Sequence, residues 1–194
     1  NLLTLEFYRN DGGYGALKRR AGNLNLRLKQ GQSLDFELVV PEGTRSGVYA
    51  ARLRAQEHED YVPFLVRPKR GTSSAPVVFL APTASYLAYA NSHLPSDPDI
   101  LAWLIRLAGE EFPFEYPVQP QDKYILAQKL LSLYDRHTDG SGVCYSSRLR
   151  PILTMRPKYV SPSLALGKGA PHQFNADLHL LDWMEAKGHE YDVV

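Results

Sequence analysis

At 194 residues, 44% of them hydrophobic, the chain carries apolar material for one substantial core or two modest ones and reads as folded rather than disordered. Its 22 Lys and Arg stand against 21 Asp and Glu, so bulk charge gives no case for a nucleic-acid partner, and the run Lys18-Arg19-Arg20 reads as a solvated face. No apolar run approaches the roughly 20 residues of a membrane span, and the single cysteine, Cys144, excludes an intrachain disulfide and leans toward the cytoplasm.

In chain order, residues 2–8 alternate loosely, and Asp11-Gly12-Gly13-Tyr14-Gly15 reads as a turn. Period-2 patterning then predicts strands over Asn23–Leu28, Ser33–Val40, Gly47–Ala55 and Tyr61–Val66. The turn residues between them are Gly31, Pro41-Glu42-Gly43 and His58-Glu59-Asp60. This arrangement predicts an antiparallel, β-sandwich-like module over residues 1–68, suited to packing, assembly or carbohydrate binding. Arg52 and Arg54 share one face of it, where strand arginines usually pair with carboxylates.

Residues 69–75, polar, small and bounded by Pro68 and Pro76, read as a linker. The apolar run Val77-Val78-Phe79-Leu80-Ala81 predicts a buried parallel strand entering a functional loop. Helices are predicted over Asp99–Glu111 and Asp122–Tyr134, and residues 135–169 are mostly irregular, a length uncommon unless the stretch is disordered or lines a site. Asn175–Lys187 predicts a helix with Leu178, Leu181, Trp183, Met184 and Ala186 on one face. Gly188 caps it, and a strand begins near residue 190. Helix, glycine and strand in this order are the second half of a βαβ crossover. Residues 76–194 are therefore expected to be the first part of an α/β domain that is incomplete at its C-terminus, and a start without Met is not expected to be a natural translation start.

Twelve tyrosines imply a wet interior or a phenol-rich site, because a buried phenol needs a partner for its hydroxyl. Gly140-Ser141-Gly142 and Gly167-Lys168-Gly169 lack the context of a phosphate loop. Cys144 with His137 or His172 as base is a formal nucleophile pair without a glycine-framed elbow. His172, after Pro171, reads as a loop histidine, and His179 as a surface-helix one. Two segments stand out as sites. Residues 83–92 follow the apolar strand, where α/β folds place functional groups. The stretch around Tyr145-Ser146-Ser147-Arg148, Arg150 and Arg156 reads either as anion binding or as ordinary packing.

Several stretches together resemble the large subunit of the N,N-dimethylformamidase family: Ser46–Ala55, Asp60-Tyr61-Val62-Pro63-Phe64, Tyr86-Leu87-Ala88-Tyr89-Ala90-Asn91, Tyr145-Ser146-Ser147-Arg148, and Leu181–Gly188 running into Tyr191-Asp192-Val193-Val194. The resemblance spans nearly the whole chain. It implies an amidohydrolase with a glutamine-amidotransferase-like catalytic domain and a mononuclear Fe(III) held by two tyrosines and a glutamate. Tyr89 matches the first ligand, with Tyr86 second to it, and Tyr145 matches the second ligand. The ligand glutamate belongs to a His-Pro-Glu-Tyr type motif that these 194 residues lack. A piece carrying half a site is expected to be inactive alone and to hold no iron stably. Phenolate and carboxylate are hard donors suited to Fe(III), which polarises an amide carbonyl for attack by water. The implied substrate is a small amide giving formate and dimethylamine, and the implied partners are a small accessory subunit and further copies of the chain. The other reading keeps the architecture as a non-catalytic scaffold for assembly or carbohydrate binding.

Overall fold

A computed structural model describes residues 2–10, 17–27, 39–92, 99, 102–103, 105–106, 119–147, 152–156, 159–161 and 170–194. Helices and strands are mixed, in two compact units: residues 1–81 with 178–194, and residues 82–177.

In the first unit, β1 (Leu2–Asn10), β2 (Leu17–Arg27), β3 (Gly47–Ala55) and β4 (His58–Val66) form one antiparallel sheet of order β2-β1-β3-β4. The predicted strand over Ser33–Val40 lies outside the described residues except for Val39 and Val40, which are exposed and not in a strand. β3 has the predicted bounds. β4 starts three residues before its expected start at Tyr61, because the turn is the two-residue loop Gln56-Glu57 rather than His58-Glu59-Asp60. Ala55 pairs with His58, and Gln56 takes the φ of 55° that such a loop requires. Neither Gly nor Asn marks that loop, so composition misplaces it. Arg52 reaches across the sheet to Glu59, with Nη2 to Oε2 at 2.5 Å, and lies over the Tyr61 ring. This is the carboxylate pairing expected of a strand arginine.

A second, parallel pair joins β5 (Val77–Phe79) to β6 (Tyr191–Val193), in the register Val77 to Tyr191 and Phe79 to Val193. The pairing is extended by Ala81 N–H to the Val194 carbonyl at 2.8 Å. The parallel strand is as expected, but its burial is not: Val78 is 54% exposed, while all three residues of β6 are buried. β5 has β6 along one edge, and among the described residues little covers its faces. Ser46, buried at the mouth of β3, donates to the Val66 carbonyl at 3.0 Å and accepts from Val193 N–H at 2.8 Å, tying β4 and β6 together. Residues 69–75 are ordered rather than slack. Ser74 N–H at 2.7 Å, Ala75 N–H at 3.2 Å and the hydroxyls of Ser73 and Ser74 all donate to the buried Asp192 carboxylate.

In the second unit, α1 spans Thr83–Tyr89 and α2 Pro120–Ala127. Pro120 stands at the first turn of α2, and the Asp122 carboxylate accepts the Gln119 N–H at 2.8 Å. α2 is seven residues shorter at its end than the periodicity of Asp122–Tyr134 predicts. Lys129 adopts φ 51°, and Leu130 N–H reaches back to the Ile125 carbonyl at 3.0 Å, a Schellman closure without its usual glycine. Residues 99, 102, 103, 105 and 106 are helical, and the rest of that predicted helix lies outside the described residues.

α3 (Phe174–Ala186) begins in the second unit and ends in the first. Phe174, Leu178, Leu181 and Met184 recur at helical spacing and are buried, each stabilising the fold by about 1.5–3 kcal/mol. Trp183, expected on that face, is 52% exposed and meets the His189 ring at 5.2 Å. At 100° per residue it points away from the Leu181 stripe. Gly188, at φ 72°, closes the helix as predicted, with His189 N–H bonded to the Met184 carbonyl. No helix among the described residues is long and apolar enough to cross a membrane.

Candidate active site

A pocket opens in the second unit. Tyr86, Tyr89 and Ser92 line it from α1 and the turn beyond. Thr154 and Met155 face them, and Tyr159 with Ser161 and the segment His172-Gln173-Phe174 complete the wall.

The sequence folds this way for local reasons. Tyr159 donates its hydroxyl to Asp122 Oδ1 at 3.0 Å, so the carboxylate that caps α2 also holds a pocket wall. Asn175, buried in the first turn of α3, donates its amide to the Tyr159 carbonyl. Tyr86 is 4% exposed, donates to Asp177 Oδ2 at 2.5 Å and meets Phe174 edge-on at 5.7 Å. Burial, then the bond to Asp177, pushes its phenol far above the ordinary tyrosine range. A phenol held protonated against a carboxylate is a poor metal ligand. Tyr86→Phe is therefore expected to lower stability by about 1–3 kcal/mol through the lost bond, measured by urea unfolding, while leaving any visible iron band in the whole protein unchanged.

Tyr89 is the residue that geometry singles out. Its ring stacks on Tyr134 at 4.2 Å and 27°, and meets His172 edge-on at 5.0 Å. The hydrogen bond between the phenols, followed by burial and the mutual charge, pushes Tyr89 up. Sequence reasoning missed Tyr134, which the periodicity of residues 122–134 assigned to the end of a helix. The early end of α2 instead leaves residues 132–135 as a turn. Its Ser132 N–H donates to Asp135 Oδ2 at 2.7 Å, Tyr134 N–H donates to Ser132 Oγ at 3.1 Å, and Leu133 N–H donates to the Ala88 carbonyl at 3.1 Å beside Tyr89. The low-complexity signal Ser-x-x-Asp was the available clue.

Tyr145, the other expected ligand, is 93% exposed and is not among the pocket-lining residues. Cys144 is also exposed, its thiol 3.5 Å from the Gly142 carbonyl. Arg156 donates to the Ile152 carbonyl at 2.6 Å; Arg148 and Arg150 lie outside the described residues. His172 is half-buried in the loop before α3 and His179 is exposed on the helix, as expected. Burial holds the His172 imidazole below the usual histidine range.

The donor set fits part of a ferric site. Two phenols in contact resist joint ionisation unless a cation neutralises them, and hard oxygen donors suit Fe(III). Among the described residues no group of three His, Cys, Asp or Glu is placed to hold a metal.

The sequence model of the family described as "N,N-dimethylformamidase beta subunit-like, C-terminal" matches residues 29–194. The chain is 43% identical over 163 residues to the N,N-dimethylformamidase beta subunit of Alcaligenes sp, covering 82% of this chain and 20% of that one. It is 41% identical, with the same coverage, to the N,N-dimethylformamidase beta subunit of Paracoccus aminophilus. The chain thus spans about a fifth of the length of these curated relatives.

Proposed function

The chain belongs to the N,N-dimethylformamidase beta subunit-like, C-terminal family, and on that premise we propose that the whole protein hydrolyses the C–N bond of a small amide such as N,N-dimethylformamide, giving formate and dimethylamine. This chain contributes the phenol ligands of an Fe(III) site. The observation that carries the reading is the stack of Tyr134 on Tyr89, a pocket-lining residue; Tyr134 itself is half-exposed and, like Tyr145, is not among the lining residues. Tyr89 is the first ligand. For the second, resemblance nominates Tyr145 and geometry nominates Tyr134, and we take Tyr134.

The ion, when bound, supplies a Lewis acid for the amide carbonyl. The chain's own residues do the rest. Met155 and Phe174 offer apolar contact to the N-alkyl groups, while Ser161, Thr154 and Gln173 offer hydrogen-bonding groups to the amide. His172, its neutral form favoured by burial, stands beside Tyr89 and is available to take a proton. To this reading belong a sandwich-like N-terminal module, a glutamine-amidotransferase-like second domain, a cytoplasmic location and assembly with an accessory subunit and further copies; for the assembly, the support is that the relatives are named as subunits.

Visible spectra of the whole protein separate the two nominations. Tyr134→Phe is expected to bleach or shift the phenolate-to-iron band, and Tyr145→Phe to leave it in place. The opposite pattern returns the second ligand to Tyr145.

A further inference from the structure

α1 ends on a turn whose third residue is Asn91. Ala90 has φ −57° and ψ 128°, Asn91 has φ 61°, and Ser92 N–H donates to the Tyr89 carbonyl at 3.0 Å. These are the dihedrals and the bond of a type II β-turn, whose third position admits Gly or Asn at least cost. Asn91 is also fully buried, with 0% exposure, and both its backbone and its side chain are engaged with a distant segment. Its N–H donates to Thr154 Oγ1 at 2.9 Å, and its Oδ1 accepts the Leu153 N–H at 2.8 Å.

The two segments joined in this way are facing walls of the pocket. Tyr89 and Ser92 flank Asn91 on one side, and Thr154 and Met155 stand on the other.

We propose that Asn91 is the positioning residue of this pocket, fixing the Tyr89 ring relative to the Thr154–Met155 wall and so setting the gap in which a small amide is held. This rests on the reading of the pocket as an amide site. Asn91 touches no reacting atom; it acts through Tyr89 and Thr154. A displacement of about 1 Å in such a wall can cost about 100-fold in rate.

The test uses the whole protein labelled with 3-fluorotyrosine, assayed with its iron for kcat and freed of paramagnetic iron by chelation for the spectra, with the 19F resonance of Tyr89 assigned by its loss in Tyr89→Phe. Asn91→Gly keeps the left-handed backbone accessible and removes the buried side chain with its bond to Leu153. Asn91→Ala removes the bond and strains φ. In Asn91→Gly, kcat for dimethylformamide is expected to fall about 10- to 100-fold, and the Tyr89 resonance to shift or broaden. Asn91→Ala is expected to show the same kinetic loss with a further drop in Tm. An unshifted Tyr89 resonance in Asn91→Gly, with kcat retained and only Tm lowered, overturns the proposal. A wild-type protein that hydrolyses no amide sinks the functional reading instead. The 19F shift in Asn91→Gly then decides the positioning role by itself.

Discussion

Tyr89→Phe in the whole protein is expected to remove the visible phenolate-to-iron band and to lower amide hydrolysis by more than the roughly 10- to 100-fold typical of losing a residue that merely orients a metal ligand. The ring change is nearly isosteric, so the stack on Tyr134 at 4.2 Å and the edge contact with His172 can persist. What disappears is the oxygen. The substitution therefore separates a phenol used for packing from a phenol used as a donor. If packing were its role, stability would change slightly and activity would survive. Comparing iron content, spectrum and kcat on the same preparation checks the result. A coloured, active Tyr89→Phe protein contradicts it.

The second large effect is on stability. Asp192→Ala is expected to destabilise the chain by about 2–4 kcal/mol, since hydrogen bonds to a charged acceptor contribute more than neutral ones. The carboxylate collects two backbone N–H groups and two serine hydroxyls from residues 73–75, fastening that segment onto β6. Those bonds, the Ser74 hydroxyl first, hold the Asp192 carboxyl below the usual carboxylate range. A depressed folded value gives stability that is fully present above the unfolded value of about 3.9 and is lost as pH falls through the lower folded value. Urea midpoints measured from pH 7 to pH 3 should therefore fall more steeply for the wild type than for Asp192→Asn. Parallel pH profiles would show that Asp192 is not the titrating group.

The parts legible in the sequence were those whose signals are local. β3 alternates over its full length and Gly188 ends α3, so both were placed from pattern alone. The two strands and their parallel sense followed from the order of strand, helix, glycine and strand, but that 77–79 pairs directly with 191–193 did not. The losses were equally local in cause. Gln56 and Lys129 adopt left-handed backbone without being Gly or Asn, so the β3–β4 loop and the end of α2 carried no mark. The second of these hid the site, because Tyr134 faces Tyr89 only when α2 stops at Ala127. Asn91, by contrast, is the residue type its turn favours, yet its partners Leu153 and Thr154 are more than sixty residues away in the chain. No periodicity reports such a contact. Asp192 likewise reads as an ordinary polar residue until the loop that solvates it is seen.

Iron analysis with a visible spectrum, on the whole protein purified without added chelator, tests the account most directly. One ferric ion per chain is predicted, with a phenolate-to-iron band that Tyr89→Phe removes and Tyr134→Phe bleaches or shifts. Colourless, metal-free protein that still hydrolyses dimethylformamide would contradict it.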